Sequence, residues 1–194
     1  LRDRIIRSAG AQIGKFGLRR FTIDDIASDL GISKKTVYKY FESKRQIIAE
    51  LFDRHIENEK NCTLEALKTD GGWLDKLRAV IHCYGQEKLS PGLLEELQLY
   101  FPREWEKTQA IRTFKREKVI EVLMQGVEAG EIKKDVHLGI LGLILDNTIN
   151  ALFDYKILNR LDLTVNQMMD GVRSIILYGI LKQNPNSGEC KNEI

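Results

Sequence analysis

Residues 21–44 read FTIDDIASDLGISKKTVYKYFESK, and the chain is best understood outward from there. Thr22 with Asp25, and Ser43 with Gln46, have the spacing of a capping box, and Ser33 precedes a third start. Each hydroxyl can accept from an otherwise unpaired amide of a first helical turn. Three starts so close together predict short helices joined by tight turns. Ile23, Ile26, Ala27 and Leu30 fall on one face of a helix over 22–30, which Gly31 then breaks. A second helix, over 33–41, carries Val37 and Phe41 inward.

This pattern meets the requirements of a helix-turn-helix. The small Ala27 lets two helices cross closely, and Gly31 supplies a turn free of Cβ strain. Ile32 and Val37 fill the space between them. The outer face of the second helix offers Lys34, Lys35, Thr36, Tyr38, Lys39 and Tyr40, groups that reach phosphates and base edges from a major groove.

With Ala9, Phe16 and Gly17 upstream, the run from Phe21 to Lys44 resembles the signature of the tetracycline-repressor (TetR) family. That pattern is Thr, Ile-Ala, Gly-Val-Ser, Thr-aromatic-x-Tyr-Phe and Lys, here with Ile32 for Val. The match covers about the first quarter of the chain. It implies that Thr22 and Lys44 anchor phosphates, and that Ser33 opens a recognition helix whose Lys34, Lys35 and Thr36 face bases. Tyr38, Lys39 and Tyr40 would flank them on the backbone. The family often has Gly where this chain has Lys35, and a long cation there would turn preference toward guanine, whose O6 and N7 accept from Lys.

Outside the motif, helical stripes continue. Ile5, Ile6, Ala9, Ile13 and Phe16 line a helix that should stop at Gly17, and a long helix starts at Ser43. Further helices are expected over 73–88, 93–100, 104–129, 136–155 and 164–181. The predicted fold class is all-α with about nine helices. A three-helix DNA-binding domain at 1–46 precedes an effector-binding and dimerisation domain at 47–184 and a polar tail at 185–194.

Two late helices are apolar on most sides, which demands burial on most sides. The expected dimer interface is Ile140, Leu141, Ile144, Leu145, Ile149, Leu152, Met168, Val172, Ile175 and Ile176. The resemblance implies that they form a four-helix bundle with their symmetry mates. A two-fold homodimer would meet a pseudo-palindromic DNA operator. Between head and interface, the resemblance implies a pocket for an unidentified small-molecule effector. Its candidates are the aromatics Tyr84, Trp105 and Phe114 with the polar His82, Cys83 and Gln109.

Composition agrees. Residues 1–55 carry twelve Lys and Arg against seven Asp and Glu, a basic head on a body with eighteen against twenty-one. No apolar run is long and uninterrupted enough for a membrane span, and no secretory signal is visible, so a soluble cytoplasmic protein is expected. Cys62, Cys83 and Cys190 have no C-x-x-C spacing and imply no disulfide framework; Cys83, with nothing basic adjacent in sequence, reads as a buried inert thiol. His55, His82 and His137 are isolated, and no nucleotide-binding, nucleophile-elbow or zinc motif is present, so neither an enzyme nor a bound cofactor or metal is expected. Glu95-Glu96 reads as a surface pair. The expectation is a repressor released from its operator by the effector. Two alternatives stand beside it: a DNA-binding protein of the same fold governed by protein partners, and a helical ligand-binding or catalytic module with a vestigial helix-turn-helix.

Overall fold

A computed structural model describes residues 1–84, 90–133, 136–152 and 154–180. Within them lie ten helices: α1 (Arg2–Arg20), α2 (Ile23–Leu30), α3 (Lys34–Tyr38), α4 (Lys44–Ala66), α5 (Trp73–Tyr84), α6 (Pro91–Tyr100), α7 (Pro102–Glu128), α8 (Leu138–Leu152), α9 (Tyr155–Leu161) and α10 (Val165–Ile180). The polar tail lies outside the described residues.

Two apolar cores organise these helices. The head core joins Ile5, Ile6, Ala9 and Ile13 of α1 to Ile26 and Ala27 of α2, Val37 of α3, and Ile47, Ile48 and Phe52 of α4. Packing thus carries the head along α4 beyond residue 46. The body core joins Ala66, Trp73, Leu77, Val80, Leu94, Val122, Leu123, Leu141 and Leu158. Helix α6 belongs to both, giving Leu97 to the head and Leu94 to the body, and Trp105 leans on each.

Several sequence expectations are corrected. Phe16, assigned to the buried stripe of α1, is 48% exposed. Gly17 does interrupt α1, at φ 85° and ψ 171°, but the chain resumes helical geometry and reaches Arg20. The helix expected over 136–155 instead stops at Leu152, and α9 follows as a separate element. Asp154 opens α9 by accepting the Lys156 amide, and Asp162 closes it in the left-handed conformation. Cys62 and Cys83 are joined in a disulfide between α4 and α5, where free thiols were expected. Their 21-residue separation bridges two helices, a pairing that short-range spacing rules do not register.

Candidate nucleic-acid interface

The head presents α3 on a scaffold of local hydrogen bonds. Thr22 Oγ1 accepts the Asp25 amide at 3.2 Å, and Asp25 Oδ2 accepts the Thr22 amide at 2.7 Å, completing the capping box of α2. Gly31 closes α2 in the left-handed region at φ 63°, and the Ile32 amide then reaches back to the Ala27 carbonyl at 2.9 Å. Ser33 caps α3 by accepting the Thr36 amide at 3.1 Å. Val37 is wholly buried, so the opposite side of this five-residue helix faces out.

The outward groups divide into free and engaged. Lys35, Tyr38, Lys39 and Tyr40 are exposed. Lys34 is exposed too, but its ammonium donates to Asp24 at 2.9 Å, and that bond raises its pKa. The half-buried Thr36 shares a 2.9 Å hydroxyl contact with Ser33. Thr22 also gives its hydroxyl to Asp25 at 2.8 Å, so its amide and its hydroxyl both meet a carboxylate. Among the described residues, Asp24 and Asp25 thus hold two of the groups the sequence assigned to DNA.

Lys44 is placed differently from its expected role. Its ammonium donates to the carbonyls of Arg19, at 2.8 Å, and Phe21, at 2.6 Å, and sits 4.2 Å from the Phe21 ring centroid. Burial lowers its pKa. This side chain clasps the end of α1 to the start of α4. On the other flank, Arg2 donates to the Tyr40 carbonyl at 2.7 Å and stacks 4.2 Å over Phe41 while pairing with Glu50. The motif gave no sign of that second clasp.

The described effector candidates differ in burial and surroundings. His82 and Gln109 are exposed, Trp105 is half-buried under Arg112 at 4.5 Å, and Phe114 lies near Lys118. Cys83 is buried in its disulfide, and the Tyr84 side chain lies outside the described residues. A cavity of about 510 Å³ opens between α1 and α6, lined by Phe16, Gly17, Arg19, Glu96, Leu99 and Tyr100 among others. Deeper, α7 turns Glu104, Thr108, Arg112 and Lys115 toward the interior, where Lys115 pairs with Glu59 of α4. Glu104 Oε2 is buried with no hydrogen-bond partner among the described residues.

The expected dimer face is split by the single chain. Ile140 and Ile144 of α8 and Ile175 of α10 stand more than half exposed, as does Leu143. Leu141, by contrast, is buried in the subunit's own core, and Met168 and Val172 lean on that core. The side chains of Leu145, Ile149, Leu152 and Ile176 lie outside the described residues. Among the described residues, no helix is long and apolar enough to cross a membrane.

A basic recognition helix held on a capped, glycine-turned support defines a helix-turn-helix DNA-binding protein. The model of bacterial regulatory proteins of the tetR family matches residues 5–51. The chain is 23% identical to the HTH-type transcriptional regulator YvaF of Bacillus subtilis over 82% of its own length and 85% of that protein's. It is 24% identical to the HTH-type transcriptional repressor KstR2 of Mycobacterium tuberculosis over 94% of each chain. Among solved structures it resembles a transcriptional regulator from Saccharomonospora viridis in complex with choline, with TM-score 0.72 and 19% identity over 94% of this chain and 98% of that one. It also resembles FadR of Bacillus subtilis in complex with stearoyl-CoA, with TM-score 0.61 and 22% identity over 92% and 98%. Residues 5–51, about the first quarter of the chain, thus match the helix-turn-helix head of tetR-family regulatory proteins.

Proposed function

We propose that the protein is a homodimeric repressor that holds a pseudo-palindromic DNA operator and leaves it when a small molecule binds the body. The observation that carries the first part is the burial of Val37, with Lys35 and Tyr38 exposed on α3 and Lys39 and Tyr40 exposed in the turn that follows it. Lys35 supplies the base-reading cation, and Lys39 with the two phenols meets the backbone. Lys34, Thr36, Ser33 and Thr22 join once DNA competes with their present partners. Lys44 contributes by fixing the support, not by a free ammonium.

The apolar face of Ile140, Leu143, Ile144 and Ile175 supports the dimer, since a lone chain would leave it in water. An effector site along α7 is supported by its interior polar row and the unpartnered Glu104 oxygen, which suit a ligand with polar groups. Two structural relatives, solved with choline and with stearoyl-CoA, support control by small molecules in this fold. The signal has a route through α6, which is shared by both cores. A ligand that prefers one arrangement of α6 shifts the population of heads able to span two half-sites.

The test is fluorescence anisotropy with DNA from upstream of the protein's own gene. Affinity should fall by orders of magnitude between about 50 and 200 mM salt and exceed that for unrelated DNA. Equal, salt-insensitive binding to both would overturn the reading.

A further inference from the structure

We infer that Cys62 and Cys83 form a redox site through which hydroperoxides adjust operator binding; this rests on the proposed DNA-binding function. The two Cα atoms are 6.1 Å apart, a spacing that admits a disulfide without backbone movement. A DNA-binding protein works beside its DNA, in a reducing compartment, where a disulfide is transient and serves catalysis or sensing rather than permanent stapling. The pair also sits where a crosslink has consequences for the head.

Helix α4 connects the two ends of the device. Its first turn is clasped to the head through Lys44, and Ile47, Ile48 and Phe52 lie in the head core. Its last turns, with Cys62 and Ala66, pack in the body core. Lys44 and Cys62 are separated by about 27 Å of helix, so a tilt of a few degrees at one end moves the other by about 2 Å. The disulfide ties α4 to α5 at the body end. Lys115 of α7 reinforces the same junction, donating to the Cys83 carbonyl at 3.2 Å while pairing with Glu59, three residues before Cys62. Three helices therefore meet at one covalent link, and breaking it frees α4 to adopt other tilts.

The chemistry balances with a hydroperoxide as oxidant. Cys62, only partly buried, is the more accessible of the two residues and takes the role of attacking sulfur, whereas Cys83 is 2% exposed. The Cys62 thiolate attacks the outer peroxide oxygen, the O–O bond breaks, and the alcohol ROH leaves as Cys62 becomes a sulfenic acid. The Cys83 thiolate then attacks that sulfur, the S–S bond forms, and hydroxide departs to take up a proton as water. Two thiols and ROOH give one disulfide, ROH and water. A dithiol reverses the step by exchange at Cys62, through a mixed disulfide.

The experiment treats the full chain with hydrogen peroxide or with dithiothreitol, counts free thiols by maleimide mass labelling, and measures operator affinity on each form. Of the three cysteines, oxidation should leave one thiol, Cys190. Operator affinity should differ at least about fivefold between the two forms. The difference should vanish in Cys62→Ser and Cys83→Ser and persist in Cys190→Ser, with helical circular dichroism confirming that each variant folds. A full complement of thiols after peroxide, or a disulfide with unchanged affinity, overturns this inference alone. Absence of operator binding in both forms overturns the DNA-binding reading, and this proposal with it.

Discussion

Glu96 of α6 stands against Gly17 of α1, its Oε2 only 2.8 Å from where a Cβ on that glycine would be. The same oxygen accepts the Arg19 amide at 3.1 Å, and the Arg19 guanidinium lies 4.1 Å from the Tyr100 ring centroid. The break in α1 is therefore the point at which the body's α6 grips the head.

Gly17→Ala should weaken both fold and coupling. At φ 85° and ψ 171° the backbone occupies a region that essentially only glycine populates, so a side chain costs about 1–3 kcal/mol before Glu96 is displaced. Urea unfolding checks this; a loss below about 0.5 kcal/mol would show that the break relaxes freely.

Two lysines in the motif should separate cleanly. Lys35→Ala leaves stability within about 0.5 kcal/mol and weakens operator binding by about 1–3 kcal/mol. Lys44→Ala strips the donor from the Arg19 and Phe21 carbonyls and lowers stability by about 1–3 kcal/mol. Paired unfolding and anisotropy titrations decide; a Lys44 variant of wild-type stability would contradict the clasp.

Ile175, 76% exposed in the single chain, should become a dimer-breaking position when charged. At the proposed two-fold interface, Ile175→Glu would place a carboxylate from each subunit where water is excluded and an unpaired charge is strongly unfavourable. Light scattering after size-exclusion chromatography should report a folded monomer, with operator affinity reduced at least tenfold. A stable dimer would move the interface elsewhere.

Acid should loosen the head through Glu50. Its carboxylate accepts from Arg2 Nε at 3.1 Å and Arg54 Nη2 at 2.7 Å. The Arg2 hydrogen bond first, then that of Arg54, pulls its pKa below the ordinary 4.5 against the opposing effect of burial. A lowered folded-state pKa means stability that is full above 4.5 and lost as pH falls through the depressed value. With both arginines part-exposed, the contribution is roughly 0.5–1 kcal/mol. Glu50→Gln should be less stable than wild type by about that much at pH 7, and the gap should close once the pH falls below the depressed value. A constant gap across that range would contradict the assignment.

The head was legible because its determinants are local. Thr22, Gly31, Ser33 and Val37 act within a few residues of themselves, and caps, turn and buried contact all stand where the sequence placed them. Contacts across longer separations were not legible. Nothing near Lys44 reveals that its ammonium will find carbonyls 25 and 23 residues upstream, nor that Arg2 will reach Tyr40. The break before α9 had a local signal in Asp154, but the continuous apolar pattern of α8 obscured it. Phe16 shows the converse: its helical register looks inward, yet it is 48% exposed, and after the break at Gly17 it is Leu18 that is wholly buried in the head core.

Val37 is the root on which α3 is mounted, and Lys35 and Tyr38 stand exposed outside the packing that holds it. Foldedness and the proposed DNA preference would thus reside in different side chains of a five-residue element. On that reading, descendants of this gene could trade Lys35 or Tyr38 for other residues and acquire new target sites without first repairing a damaged scaffold.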